Sequence, residues 1–189
     1  MRIPSLAVIL TMIIVLQGCK SDKLDDDPVR LNGFTASLPA GEAWIRTDLS
    51  PTKSAYQRTE NGKMTLLRFS IDTIAPMPQA QAFFAYAEGR QERLFAGSKA
   101  ISIHYSRTIK DNAPCLQYDG ILEWESRTTS PFTTLRGFIF RHPDDPNRIL
   151  NVELSQDCSG KNEAYAIDLT ETARLVFNSV HFTKYADMR

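Results

Sequence analysis

The sequence predicts an α+β fold, in which a single antiparallel β-sheet of meander type is covered by helices. Two observations predict this class. Strand-like and helical segments occur in separate runs, in the order β-rich region, helix, long run of strands, helix and strand, which is typical of α+β domains. Several strand-like segments, such as residues 132–142, are apolar on both faces, and this indicates a sheet with helices on both sides.

The β-rich region opens with two short extended segments. In residues 34–38 apolar and hydroxyl side chains alternate until Pro39 interrupts the pattern, as expected for a half-buried strand that ends there. A second extended piece is predicted at residues 43–47, around a tryptophan.

A β-hairpin follows, formed by residues 54–59 and 64–72. Asn61-Gly62 lies between these two segments, and this dipeptide favours a type I′ turn because both of its residues tolerate positive φ. The second segment alternates, so that one face carries its larger apolar side chains. Leu67, Phe69 and Ile71 lie on that face together with Thr65, opposite Arg68, Ser70 and Asp72.

The middle of the chain predicts a helix and then a meander. A helix is expected over residues 79–96 because its apolar side chains recur at helical spacing. Its predicted buried stripe consists of Phe83, Tyr86, Ala87 and Leu94. Alternating patterns in residues 101–106, 115–127, 132–142 and 148–157 then predict consecutive strands joined by turns.

The chain closes with a second helix and a last strand. A helix is predicted over residues 163–177, with one apolar stripe facing the sheet. The stripe consists of Tyr165, Leu169, Ala173 and Val176. The last strand is expected at residues 179–183, where Val180 and Phe182 point the same way.

The first residues have the pattern of a secretory signal. Arg2 is followed by the apolar run Leu6–Leu16 and the small residue Gly18. The run is well below the ~20 residues that a membrane-spanning helix needs. Residues 1–18 are therefore predicted to be a signal peptide, residues 19–29 a polar tether, and residues 30–185 a single α+β domain.

The signal ends in Leu16-Gln17-Gly18-Cys19, which resembles the lipobox of bacterial lipoproteins. The resemblance implies cleavage before Cys19, lipidation of that cysteine and attachment to a membrane through the lipid, since two or three acyl chains hold firmly. Lys20 stands where Asp favours inner-membrane retention in enterobacterial sorting. The resemblance therefore implies an outer-membrane lipoprotein that faces the periplasm.

The two ends of the domain carry a second resemblance. The segment Phe34-Thr-Ala-Ser-Leu-Pro-Ala-Gly-Glu-Ala-Trp44 and the segment Phe177-Asn-Ser-Val-His-Phe182 resemble the ends of PsbP-like domains, including DcrB-like bacterial lipoproteins. The resemblance implies an α/β/α sandwich, in which helices lie on both faces of an antiparallel sheet. It also implies a non-enzymatic protein that binds other proteins or assists assembly.

Charge excludes some partners. The sequence has 22 basic and 22 acidic residues and a formal net charge of zero, so it lacks the basic excess of nucleic-acid-binding proteins. The predicted partners are a membrane, through the lipid on Cys19, and a protein. No cofactor or metal is expected, because the three histidines are far apart in the sequence and lack metal-ligand spacing.

Candidate catalytic residues are few. Glu123 and Glu125 are two positions apart in one predicted strand, which would place both carboxylates on one face about 7 Å apart. This spacing suits paired acid and base carboxylates of a hydrolase, but a solvated strand face with ion pairs is the favoured interpretation. His104, His142 and His181 are all expected to be exposed to solvent. We therefore expect no enzymatic activity.

Cys115 and Cys158 could form a disulfide in the oxidising periplasm. In the predicted meander the first and third strands run parallel, which places the two cysteines at opposite ends of the sheet, about 30 Å apart. A disulfide needs Cα atoms within about 7 Å. Two unpaired thiols are favoured, although another strand order would allow the bridge.

Two functions remain open at this point. The first is a lipid-anchored, non-enzymatic protein-binding module in cell-envelope assembly or maintenance. The alternative is an immunity lipoprotein that neutralises a toxin delivered to the periplasm. No residue distinguishes these two functions, and a hydrolase that uses Glu123 and Glu125 is the least favoured.

Overall fold

The computed structural model describes residues 28–40 and 43–183. The predicted signal peptide, Cys19 and all but the end of the predicted tether lie outside the described residues. The described elements, in chain order, are β1 (Val29–Leu31), β2 (Phe34–Ala36), β3 (Ile45–Ser50), β4 (Lys53–Glu60), β5 (Lys63–Thr73), α1 (Ala80–Leu94), β6 (Lys99–Lys110), β7 (Ala113–Glu123), β8 (Phe132–Arg141), β9 (Arg148–Cys158), α2 (Lys161–Ala166), α3 (Thr170–Ser179) and β10 (His181–Phe182).

Seven strands form the main sheet, in the order β3-β4-β5-β9-β8-β7-β6. Every neighbouring pair is antiparallel. The predicted meander of β7, β8 and β9 is confirmed. The predicted hairpin turn is present as well, with Asn61 at φ 51° and Gly62 at φ 76°, as a type I′ turn requires.

The expectation of a single sheet is wrong, because β1, β2 and β10 form a second, three-stranded sheet. The last strand therefore pairs with β2, through His181–Thr35 and Phe182–Phe34, and not with the meander. Aromatic packing explains this position. The Phe182 ring lies 5.6 Å from the Phe34 ring and 6.0 Å from the ring of Phe140 in the main sheet, so the small sheet buries its apolar side on the large one.

The predicted helix over residues 163–177 is two helices, α2 and α3. Ile167 is extended (φ −76°, ψ 120°), and the Asp168 carboxylate accepts a hydrogen bond from the Thr170 N–H at 2.8 Å. This local bond starts a new helix after the break. Tyr165, predicted to lie on the buried stripe, is instead 58% exposed.

The main sheet has helices on both faces, which confirms the layering predicted for a PsbP-like sandwich. On one face, called the α1 face, Phe83, Phe84 and Ala87 of α1 pack over β7 and β8. The other face, called the α3 face, is covered by α2, α3 and the small sheet. Its core contains Leu67, Phe69, Phe138, Phe140, Leu150, Val152, Leu154, Ala173 and Val176.

Candidate functional site

Helix α1 covers only part of the α1 face. Its buried side chains contact residues of β7, β8 and the start of β9, whereas toward β5 it extends Arg90, which bonds to Asp72. A groove of about 460 Å³ opens where the uncovered part of the face meets the end of α1. Its floor is formed by side chains of β5, β8 and β9, and its wall includes Arg90, Leu94 and Phe95.

A row of residues in register connects the groove to the core of the α1 face. Tyr118 on β7 is opposite Gly137 on β8, Gly137 is opposite Glu153 on β9, and Glu153 is opposite Arg68 on β5. The Tyr118 hydroxyl donates to Glu153 Oε2 at 3.1 Å and lies 3.3 Å from Asn151 Oδ1. The phenol of Tyr118 thus crosses β8 to reach β9.

Gly137 makes this crossing possible. A Cβ atom at position 137 would lie 2.3 Å from Cζ of Tyr118, far closer than two carbon atoms approach without overlap. Gly137 therefore has a packing role in the middle of a strand, where glycine is otherwise unfavourable.

Glu153 is the buried charge of the site, with a side chain that is 16% exposed. Burial raises the pKa of its carboxyl group above the ordinary value, and the Arg68 guanidinium at 3.3 Å and the Tyr118 hydroxyl partly offset that rise. Burial, followed by the charge of Glu153, likewise raises the pKa of Tyr118. Glu153 is thereby held between a hydroxyl donor on its inner side and a cation toward the groove.

A second cation stands in the wall. Arg90 of α1 donates through Nη2 to Asp72 Oδ2 at 2.5 Å. Its other terminal nitrogen, Nη1, is buried and has no hydrogen-bond partner among the described residues. A buried donor without an acceptor costs about 1–3 kcal/mol, so this nitrogen is held in place at a cost to stability.

Part of the groove rim is apolar, although the Arg127–Asp157 ion pair, at 3.1 Å, also lines the groove. Met64 is 49% exposed and Leu94 is 54% exposed, with Leu66, Phe95 and Trp124 as further lining residues. Trp124 donates through its indole N–H to Thr133 Oγ1 at 3.0 Å. The groove therefore combines charged side chains with exposed apolar ones.

The expected carboxylate pair is not formed. Strand β7 ends at Glu123, and Arg127 N–H donates to the Trp124 carbonyl at 3.1 Å, which closes a turn that contains Glu125. The prediction that both carboxylates lie on one strand is therefore wrong. Glu123 is 3.9 Å from Lys99 on β6, and neither glutamate lines the groove.

The histidines are apart, as their sequence positions indicated, but His142 is not exposed. It is 4% exposed, and its ring lies 5.2 Å from that of Phe34 and 5.7 Å from that of Phe182. Its Nδ1 accepts the Asp144 N–H at 3.2 Å. The small sheet covers this turn, which local sequence could not indicate. His104 and His181 are exposed.

Cys115 and Cys158 are both buried and free. Cys115 is opposite Phe140, and Cys158 is opposite Phe132, so the cysteines lie about 26 Å apart along β8 at ~3.3 Å per residue. Burial raises the pKa of both thiols. Their redox state in an oxidising compartment stays a prediction.

Within residues 28–40 and 43–183, no group of three or more His, Cys, Asp or Glu side chains is arranged to hold a metal ion. None of the described helices is long and apolar enough to cross a membrane.

Similarity to known proteins is structural. No protein-family model matches the chain, and no curated protein matches it. LpqN of Mycobacterium tuberculosis, which is involved in cell envelope biogenesis, has a similar structure, with a TM-score of 0.54, 14% identity, and 84% of this chain and 90% of that chain covered. The Ran-binding protein Mog1p of Saccharomyces cerevisiae matches with a TM-score of 0.53, 8% identity, and coverage of 86% and 97%.

The cyanobacterial PsbP of Synechocystis sp. PCC 6803 matches more weakly, with a TM-score of 0.48, 10% identity, and coverage of 80% of this chain and 88% of that chain. The similarities to LpqN and Mog1p extend over most of each protein. They show that this chain shares its fold with both.

Sequence patterns did not identify the residues that build the groove. Arg68 was placed on the polar face of its strand, which is where the structure has it, but no pattern linked it to Glu153 or Arg90. Two signals were present in the sequence. Gly137 interrupts a predicted strand, and Glu153 is a charge between the apolar residues Val152 and Leu154 of another.

Proposed function

We propose that this protein is a lipid-anchored, non-enzymatic protein-binding module that faces the periplasm from the outer membrane and acts in cell-envelope assembly or maintenance. The groove on the α1 face is the proposed binding site. The observation that carries the proposal is the uncovered part of that face, where the exposed side chains of Met64 and Leu94 lie beside the ion pair of Arg68 and Glu153.

The edges of the main sheet are poorer binding sites than this face. Strand β3 has an irregularity between Arg46 and Asp48, and β6 has one between Ala100 and Ser102. Bulges and charged side chains on edge strands oppose pairing with a further strand. A partner is therefore expected on the face of the sheet.

The shared fold supports a binding role. LpqN is involved in cell envelope biogenesis, and Mog1p is a Ran-binding protein. Both proteins have the fold of this chain, so a role in the cell envelope and a role in protein binding are the first two to test. The lipid anchor and the outer-membrane location rest on the lipobox resemblance of residues 16–19 and on Lys20.

The lipid anchor is tested by metabolic labelling with an alkyne fatty acid. Wild type should be labelled and cleaved, whereas Cys19→Ser should be unlabelled and accumulate as precursor, because the thiol that carries the lipid is gone. Equal labelling of the two proteins would refute the anchor.

The groove is tested by complementation of a deletion strain, with detergent sensitivity as the readout. Wild type should restore resistance, and the double variant Arg68→Gln, Met64→Ser should fail at equal abundance. The matched control is Arg174→Gln, Leu175→Ser on α3, where Leu175 is 38% exposed. Full complementation by the groove variant would contradict the proposed site.

A further inference from the structure

We propose that the groove binds an extended segment of a partner protein in which an acidic side chain and a large apolar side chain stand two positions apart. This inference rests on the proposed function and adds the chemistry of the partner. It follows from the charge of Arg68, from the apolar side chains of Leu66 and Met64 beside it, and from their spacing along β5.

Within the described part of the chain, Arg68 is one of four cations that line the groove, together with Lys53, Arg90 and Arg127. Its side chain is 54% exposed, and its ion pair among the described residues is with Glu153, at 3.3 Å. Because Glu153 is 16% exposed, it engages the guanidinium from the inner side. The remaining N–H groups of a guanidinium match the two oxygens of a carboxylate.

Arg90 strengthens the same preference. The Arg90 side chain lines the groove with Arg68, and its positive charge acts on the same site, where it lowers the pKa of the Glu153 carboxyl group. An incoming carboxylate would be an acceptor for the groove's cations, whereas an incoming amine or guanidinium would face like charge.

The acidic side chains that line the same groove offer less to a cationic partner. Glu153 is engaged by Tyr118 and Arg68. Asp157 accepts hydrogen bonds from Arg127 Nη1 at 3.1 Å and from Thr133 Oγ1 at 2.5 Å. Asp48 lies on the outermost strand, opposite Ala55, two strands away from Arg68.

The spacing defines the segment. Met64, Leu66 and Arg68 alternate along β5 and share the α1 face, so consecutive members are about 6.6–7 Å apart. An extended peptide repeats its side chains on one face at the same interval. A carboxylate seated on Arg68 therefore places a side chain two positions away over Leu66, beside the exposed Met64 and Leu94.

The test measures fluorescence anisotropy of labelled peptides with the purified lipidated protein in detergent micelles. The probe is Thr-Ser-Thr-Asp-Thr-Leu-Thr-Ser. One control peptide has Asn for Asp, a second has Ser for Leu, and a third separates Asp and Leu by three positions. The probe should bind about fivefold more tightly than the Asn peptide, the upper range for a partly exposed ion pair, and more tightly than the other two.

Protein variants assign the effect to the groove. Arg68→Gln should bind the Asp and Asn peptides equally, Arg68→Lys should keep part of the preference, and Met64→Ser should weaken the Leu peptide selectively. Arg174→Gln should behave as wild type. Thermal unfolding of each variant shows whether it is folded. If Arg68→Gln does not fold, the reduced preference for Asp in Arg68→Lys is the result that decides.

Absence of binding by every peptide up to millimolar concentration would overturn the inference, and so would an unchanged preference for Asp in Arg68→Gln. Either result, combined with failed complementation by the groove double variant, would leave the binding role intact and reject this partner chemistry. Full complementation by that variant would instead reject the groove as the functional site.

Discussion

On the α3 face of the main sheet, Phe138, Phe140 and Phe177 form one aromatic cluster with ring centroids 5.1–6.2 Å apart. On the α1 face, the same strand β8 presents Gly137, and a tyrosine crosses above it toward a buried glutamate. The first face is closed by helices and the small sheet. The second is partly open and keeps polar groups at its centre.

The difference separates stability from recognition. Burial of aromatic side chains contributes strongly to folding, and on the α3 face Phe138 and Phe140 are buried, with Phe177 and Phe182 partly buried against them. On the α1 face, Glu153 and Arg90 are kept in partly buried positions at a cost to stability. Such a cost is typical of sites that are built for a ligand.

The largest expected effect is on the α3 face. Phe140 is 0% exposed, so Phe140→Ala should lower the free energy of unfolding by about 3–5 kcal/mol, as other Phe→Ala changes in cores do. Met64→Ala, at the rim of the groove, should change it by no more than about 0.5 kcal/mol. Urea unfolding followed by tryptophan fluorescence measures both, and similar losses would contradict the contrast between the faces.

A smaller loss is expected from Gly137→Ala. The added methyl group would displace the buried Tyr118 ring from its place over β8 and lower the free energy of unfolding by about 1–3 kcal/mol. Gly89→Ala in α1 is the control, and helix propensity predicts a gain of up to about 1 kcal/mol there. A neutral result at position 137 would show that the crossing of Tyr118 does not depend on glycine.

Glu153 should give stability a pH dependence that Glu153→Gln removes. Because burial raises the carboxyl pKa in the folded state above its ordinary value of 4.5, the folded protein holds this proton more tightly than the unfolded chain. The stability that protonated Glu153 contributes is therefore fully present below about pH 4.5, and it is lost as the pH rises through the pKa of the folded state. When the pH is raised from about 4 to about 8, wild type should lose stability relative to the Gln variant.

Glu171→Gln on α3 provides the control of opposite sign. A hydrogen bond from Arg174 lowers the pKa of Glu171, so its contribution is present above the ordinary pKa and is lost as pH falls. Urea unfolding at both pH values measures the two variants. Equal pH dependence of wild type and Glu153→Gln would show that the buried carboxyl does not couple to folding.

No change is expected when reductant is added. With Cys115 and Cys158 at opposite ends of β8, mass spectrometry after unfolding and alkylation without reductant should find both cysteines alkylated. In the native protein, alkylation should be slow because both thiols are buried and have raised pKa values. A mass two protons lower, with neither cysteine alkylated, would mean that the strand order is wrong.

Local patterns in the sequence were enough to predict much of the fold. The Asn61-Gly62 turn, the alternation of β5 and the meander of β7 to β9 depend on neighbours in the chain, because turn chemistry and side-chain period are local properties. The same reasoning missed β1, since Val29–Leu31 is too short to show a period. It also joined α2 to α3, because the apolar spacing continues through the break that Asp168 makes.

The sequence by itself determined which side chains share a face of each strand, and with them the antiparallel meander and the helices on both sides. Only the tertiary structure decided which faces remain open and which charges meet. Arg68 and Glu153 are 85 positions apart in the chain, and their pairing depends on β5 lying beside β9. The burial of His142 depends likewise on the small sheet, which joins the two ends of the domain. Contacts between distant segments have no local period, and the groove is made of such contacts.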